Sequence, residues 1–157
     1  MGAETEMLEK AKVAIVNGQG EILVLTRSEL EDSRPGEPDW AGGKFDSEET
    51  SPQAVMLREV GEEMPGTKLD NIMPLHVYSK IKAGKFAISY FFAATAKFPT
   101  DGVVLSHEHS DAAWVPRDEF QDLNIPSKYK AAVALGESVL DRVAALAPAE
   151  EPLHLAA

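Results

Sequence analysis

One stretch restricts this chain more than any other. From Ser51 to Gly66, SPQAVMLREVGEEMPG, helical spacing opens on an N-cap serine with proline at the first helical position, and it closes at Pro65-Gly66. On such a helix Glu59, Glu62 and Glu63 are related by i, i+3 and i+4 and share one face, while Met56, Leu57, Val60 and Met64 fall on an adjoining face fit to pack on a sheet. Two local preferences are broken here. Glu59 and Glu63 are like charges at i, i+4, which costs roughly 0.2–0.5 kcal/mol. The cluster also lies near the helix C-terminus, where the helix dipole disfavours anions. A glutamate cluster is ordinarily a solvated face, but two violations in one turn mark a functional site.

A hard divalent cation resolves the conflict. Mg²⁺ or Mn²⁺ takes oxygen ligands, bridges carboxylates to substrate phosphates and acidifies a bound water. Arg58 lies i, i+4 from Glu62 and can hold a carboxylate in one orientation, although such pairs are commonly plain surface ion pairs. The chain has 26 acidic against 15 basic residues, a formal net charge of −11. A broad basic surface for a nucleic-acid polymer is thereby excluded, and a small polyanionic ligand needs a cation as intermediary.

The length of 157 residues suits one domain with its own core, and 44% hydrophobic and 26% charged residues place it among ordinary globular chains. There is no cysteine, which removes disulfides, thiolate metal sites and a Cys nucleophile. No apolar run is long enough to cross a bilayer, and MGAETEMLEK is acidic where a secretory signal is basic and then apolar. Glu6 stands where myristoylation needs Ser or Thr. A cytoplasmic location with no membrane partner is the expectation.

A single domain is expected over residues 8–147, with 1–7 and 148–157 as flexible termini. Lys12–Val16 and Glu21–Ser28 read as strands of a hairpin turned by Asn17-Gly18-Gln19-Gly20, and Glu29–Asp39, with two prolines and a glycine, as a loop. Strands follow at Ile72–Lys82 and Lys85–Phe98 around Ala83-Gly84, and a short one at Ala112–Val115. Ser127–Leu146 then places Ala132, Leu135, Val139, Val143 and Leu146 at helical intervals. Strands mixed with two helices imply an α+β layered domain.

Residues 43–66 resemble the Nudix box, G-x5-E-x7-R-E-U-x-E-E-x-G-U with U a bulky aliphatic residue, through Gly43, Glu49, Arg58, Glu59, Val60, Glu62, Glu63 and Gly66. Two one-residue insertions depart from that pattern. One lies between Glu49 and Arg58, which leaves the helix in register and the part of Glu49 open; the other lies between Glu63 and Gly66. The resemblance implies an α/β/α sandwich with a mixed sheet between helices. It also implies hydrolysis of nucleoside diphosphates linked to another group, by attack of a metal-activated water on a P–O–P linkage. Carried over by position, Glu59, Glu62 and Glu63 would be metal ligands, Glu59 also the base, Arg58 their orienting partner, and the Gly42 carbonyl a further ligand. Family members often add an acidic residue from a later loop. Here that is Glu108 in SHEHSDAAW, with Asp111 as competitor, while His107 and His109 read as incidental.

For the substrate, Arg27 at a strand end could meet a phosphate, with Gly43 and Lys44 beside the box. Trp40, Tyr90 and Phe91 could stack on a base, though an aromatic in a strand is more often core. The broad expectation is a nucleoside triphosphate diphosphatase of housecleaning type. LTRS with Arg34 and Gly36 is partly similar to coenzyme A diphosphatases, and dinucleotide or nucleotide-sugar cleavage stays open. A nucleotide-binding sensor without turnover is the non-enzymatic alternative. A calcium module would need an EF-hand-like loop, which is absent. Homodimers, common in the family, would bury sheet edges.

Overall fold

The computed structural model describes residues 7–149 and 153–157; the remainder of the termini expected to be flexible, 1–6 and 150–152, lies outside the described residues. Four strands, β1 (Met7–Ile15), β4 (Ala41–Lys44), β5 (Lys68–Lys82) and β6 (Lys85–Lys97), form a sheet of order β4-β1-β6-β5. It is mixed because β1 runs parallel to β6, whereas β1 with β4 and β5 with β6 are antiparallel. A second, antiparallel sheet has order β3-β2-β7, from Pro38–Asp39, Ile22–Arg27 and His109–Val115.

Helix α1 (Pro52–Glu63) starts as its sequence dictates: the Ser51 hydroxyl accepts the Ala54 N–H at 3.2 Å and Pro52 occupies the first turn. Its Val55, Met56 and Val60 pack with Ala11, Val13 and Ile15 on one face of β1. On the opposite face, Ala14 and Val16 pack with Tyr129, Ala132 and Val133 of α3 (Ser127–Leu135) and with Leu140 and Val143 of α4 (Glu137–Ala145). A short α2 (Arg117–Phe120) precedes them. The second half of β1, from Ala11 to Ile15, is therefore buried on both sides, which explains the apolar run Val13-Ala14-Ile15. The layered α+β sandwich is the architecture expected. Among the described residues no helix is long and apolar enough to cross a membrane.

Three local expectations need correction. The Asn17–Gly20 turn forms, with Asn17 Oδ1 accepting the N–H groups of Gln19 and Glu21 at 3.1 and 2.9 Å, but it turns a corner between sheets. β1 and β2 lie in different sheets, joined near the turn by one bridge, Val16 to Ile22. The stretch 29–39 is not all loop, since it ends in β3. The helix expected over Ser127–Leu146 breaks at Gly136, whose φ and ψ of −103° and 15° leave the helical region. Leu135, the last residue before the break, is exposed, and in the helix that follows Leu140 points inward and Leu146 outward. In addition Leu153 packs into the core beside α1, and Val103 bonds to the backbone of His154 and Ala156 at 2.8 Å each.

Candidate metal and phosphate site

Two glycines let β4 pass against the end of α1. Gly42 has φ +132°, and a Cβ there would run into the Ala11 carbonyl; a Cβ on Gly43 would collide with the Glu59 carboxylate. Gly42 N–H donates to Glu63 Oε2 at 3.0 Å. Glu63 is buried, and that burial pushes its carboxyl up to about 8, with Glu59 and Asp39 acting in the same direction against Lys12 and the Gly42 amide.

The loop before β7 is pinned to the same helix end: Ser106 N–H donates to the Glu63 carbonyl at 2.8 Å, and Ser28 N–H to the Glu108 carbonyl at 2.8 Å. This pinning brings ligand atoms of Glu63, Glu108 and His109 within 4.8 Å of one another. Asp111 lies elsewhere, exposed on β7 and paired with Thr26. His109, read as incidental, is buried with Nδ1 lacking any hydrogen-bond partner, and burial lowers its imidazole to about 4. No signal in SHEHSDAAW could have separated it from His107, because the distinction is one of side-chain direction.

Arg58 is the hub of the acidic side. It grips Glu49 with two bonds, Nε to Oε2 at 3.0 Å and Nη2 to Oε1 at 2.8 Å, and also reaches Glu59 at 3.0 Å, Glu62 at 3.3 Å and the Lys44 carbonyl at 3.1 Å. The inserted residue has thus not removed Glu49 from the box. Glu59 lines the cleft beside Gly43, and burial raises its carboxyl. Glu62 is turned outward, 56% exposed, and joins neither the cleft lining nor the group around Glu63. Arg58→Lys, which keeps the charge and loses the fork, should lower turnover about 10–100-fold while leaving the unfolding temperature nearly unchanged, as steady-state kinetics and thermal melts would show.

Behind the cleft sits a buried charge network. Asp39 accepts from Lys12 Nζ at 3.3 Å, Arg27 Nη1 at 3.0 Å, Arg34 Nη2 at 3.2 Å, Tyr129 Oη at 2.7 Å and its neighbour Trp40 N–H at 2.8 Å. Burial alone would raise its carboxyl, but Lys12, the Tyr129 hydroxyl and Arg34 outweigh it and hold the group far below the usual range. Lys12 also donates to the Gly42 carbonyl at 3.1 Å, so a fixed ammonium stands on the oxygen expected to bind metal. Arg27 lines the cleft, yet its guanidinium is committed to Asp39 and to the Ser33 carbonyl. Trp40 is not available for stacking on a ligand. It is wholly buried among Phe91, Phe120 and Tyr129, in the short link between β3 and β4. Phe91 is core as well, and Tyr90 bonds Glu9 and lies against Phe45.

These groups border one cleft of about 410 Å³, lined on the acidic side by Glu59, Glu63 and Glu108 and elsewhere by Lys10, Lys12, Lys44, Arg27 and Arg34. The family model of the NUDIX domain matches residues 9–135, nearly the whole sandwich. The chain belongs to the Nudix family. It is a Nudix hydrolase, an enzyme acting on phosphoric anhydrides. No curated protein sequence matches it significantly. Among solved Nudix structures, the MutT protein from Methanosarcina mazei Go1 is 25% identical with a TM-score of 0.66, covering 90% of this chain and 97% of that one. The MutT Nudix hydrolase from Burkholderia pseudomallei is 26% identical at TM-score 0.65, covering 83% and 98%. The Nudix domain of Shewanella oneidensis NrtR, complexed with ADP-ribose, shares the fold at 15% identity and TM-score 0.57, covering 88% and 90%.

Nudix hydrolases generally need a divalent metal, and the residues here suit one. Two carboxylates and an imidazole converge, one carboxyl is buried among other acids, and one ring nitrogen is buried without a partner. The two carboxylates are the hard oxygen donors that Mg²⁺ or Mn²⁺ takes, while the imidazole is a softer donor outside the usual Mg²⁺ set.

Proposed function

We propose that this chain is a metal-dependent diphosphatase of nucleoside triphosphates, with coenzyme A, dinucleotides and nucleotide sugars as the alternative substrates. The observation that carries the reading is the meeting of the Glu63, Glu108 and His109 ligand atoms beside a cleft that Glu59, Glu63 and Glu108 line together with lysines. Glu63 and Glu108, with His109 and Glu59 beside them, would hold Mg²⁺ or Mn²⁺. The ion would supply positive charge against the phosphates and acidify water.

The chain's own residues supply the remainder. Glu59, its carboxyl made more basic by burial, accepts a proton from the attacking water as that oxygen bonds to phosphorus; the P–O bond to the bridging oxygen breaks and the second phosphate-bearing fragment leaves. Arg58 fixes the rotamer of Glu59 from one side and Gly43 admits it from the other. The lysine side of the cleft stabilises the negative charge of the phosphate chain.

Phosphate release measured across nucleoside triphosphates, dinucleotides, nucleotide sugars and coenzyme A, with Mg²⁺, Mn²⁺ or chelator, tests this directly. Turnover of triphosphates that chelator abolishes is the expected result. Turnover confined to another class moves the substrate assignment, and binding of nucleotides without any turnover replaces the enzyme by a sensor.

A further inference from the structure

The lysines of the cleft pose a problem that the acidic side does not solve. β1 faces Lys10 toward α3, and its register sets Lys10 directly opposite Lys44 on β4 and Ser89 on β6. From α3, Lys128 Nζ donates to Ser89 Oγ at 2.8 Å, which completes a row Lys44, Lys10, Ser89, Lys128 across the sheet. Like charges directly opposite on a sheet are destabilising. In a chain of net charge −11, no carboxylate among the described residues lies within ion-pair distance of Lys10, Lys44 or Lys128. Asp39, the acid whose charge acts on Lys10, is already shared by Lys12, Arg27 and Arg34. Burial, together with Lys128, Lys12 and Lys44, pushes the Lys10 ammonium down to about 8. Nor does the cleft offer a platform for a base: besides His107 its one aromatic ring is Tyr129, buried and bonded to Asp39.

We propose that Lys10 and Lys128, with Ser89 and Lys44, form an anion subsite for a substrate phosphate other than the two joined by the scissile bond, so that substrates carrying a third phosphate are selected. Lys10 and Lys128 are specificity-determining residues in this assignment, which rests on the diphosphatase reading for its substrate. The phosphate chain, rather than base stacking, supplies most of the affinity. A charge-assisted contact of this kind is worth about 10–100-fold in binding.

The test compares substrates that differ in one remote phosphate, coenzyme A against dephospho-coenzyme A, and a nucleoside triphosphate against the matching nucleoside diphosphate sugar. For the wild type, KM should favour the member with the third phosphate by about tenfold or more. In Lys10→Gln and Lys128→Gln that ratio should collapse toward one, and Lys10→Arg should restore most of it. An unchanged ratio in both glutamine variants, with melts showing folded protein, overturns the subsite. A second arm needs no turnover: inorganic tripolyphosphate titrated calorimetrically in chelator should bind the wild type and lose about tenfold or more in either variant. If no compound is hydrolysed but this binding and its loss are seen, the subsite stands and the diphosphatase reading falls. Equal tripolyphosphate binding by wild type and variants overturns the subsite whatever the enzyme does.

Discussion

Glu63→Gln should cost about 10³-fold in turnover, the range expected when a carboxylate at the reacting centre loses its charge. The exchange keeps the shape of the side chain and the bond from the Gly42 amide, so the loss reports charge and not collapse of the site. The same variant also reports on metal binding. Metal at 100 times its dissociation constant stabilises a folded protein by about 2.7 kcal/mol, which for a chain of this size is a rise of roughly 5–10 °C in unfolding temperature. The wild type should show that rise with Mg²⁺ or Mn²⁺ and lose it in chelator, and Glu63→Gln should show little of it. A variant that keeps both the turnover and the metal-induced rise would remove Glu63 from the metal site.

The second large effect is on stability. Asp39→Asn leaves Lys12, Arg27 and Arg34 without their shared carboxylate in a buried place, and breaking such a network costs about 3–5 kcal/mol. Calorimetry at pH 7 should find the unfolding temperature lowered by roughly 10 °C. The pH dependence has a definite sign. The folded carboxyl is held far below its unfolded value near 4, so its contribution is complete above that value and is lost as pH falls below it. Wild type and variant should therefore differ most above about pH 5 and converge toward pH 2. A gap that widened on acidification would contradict the network.

How much of this was legible depends on the distance between partners in the chain. The Ser51 cap, the face shared by the glutamates and the Ala83-Gly84 turn are each written within a few residues. Short-range chemistry decides the cap and the turn, and the structure shows both in place, with positive φ at Ala83 and Gly84 as a tight hairpin requires, whereas Glu62 turns away from the cleft that Glu59 and Glu63 line. The helix over 127–146 failed because spacing alone does not see a phase change at Gly136; Leu135 and Leu146 fit the period and face solvent. Trp40 failed because a single residue linking two strands has no pattern from which to read its inward side. The network around Asp39 joins positions 12, 27, 34, 39 and 129, partners too far apart in the chain for any local pattern to connect. Glu49 was left open by the altered spacing, and only the reach of Arg58 across the inserted residue shows where it goes.

The peptide of Gly42 has a consequence of its own. Its N–H is tied to Glu63 and its carbonyl to Lys12, and Lys12 is tied to Asp39. One short piece of backbone therefore works as a rigid strut between the buried charges that hold the domain together and the carboxylate beside the reaction. A strut transmits displacement in both directions: loosening the interior tilts Glu63, and whatever fixes Glu63 braces the interior. Durability and catalysis in this molecule then draw on the same bonds, so substitutions that alter one will be tolerated chiefly in company with others that restore the set of this single backbone unit.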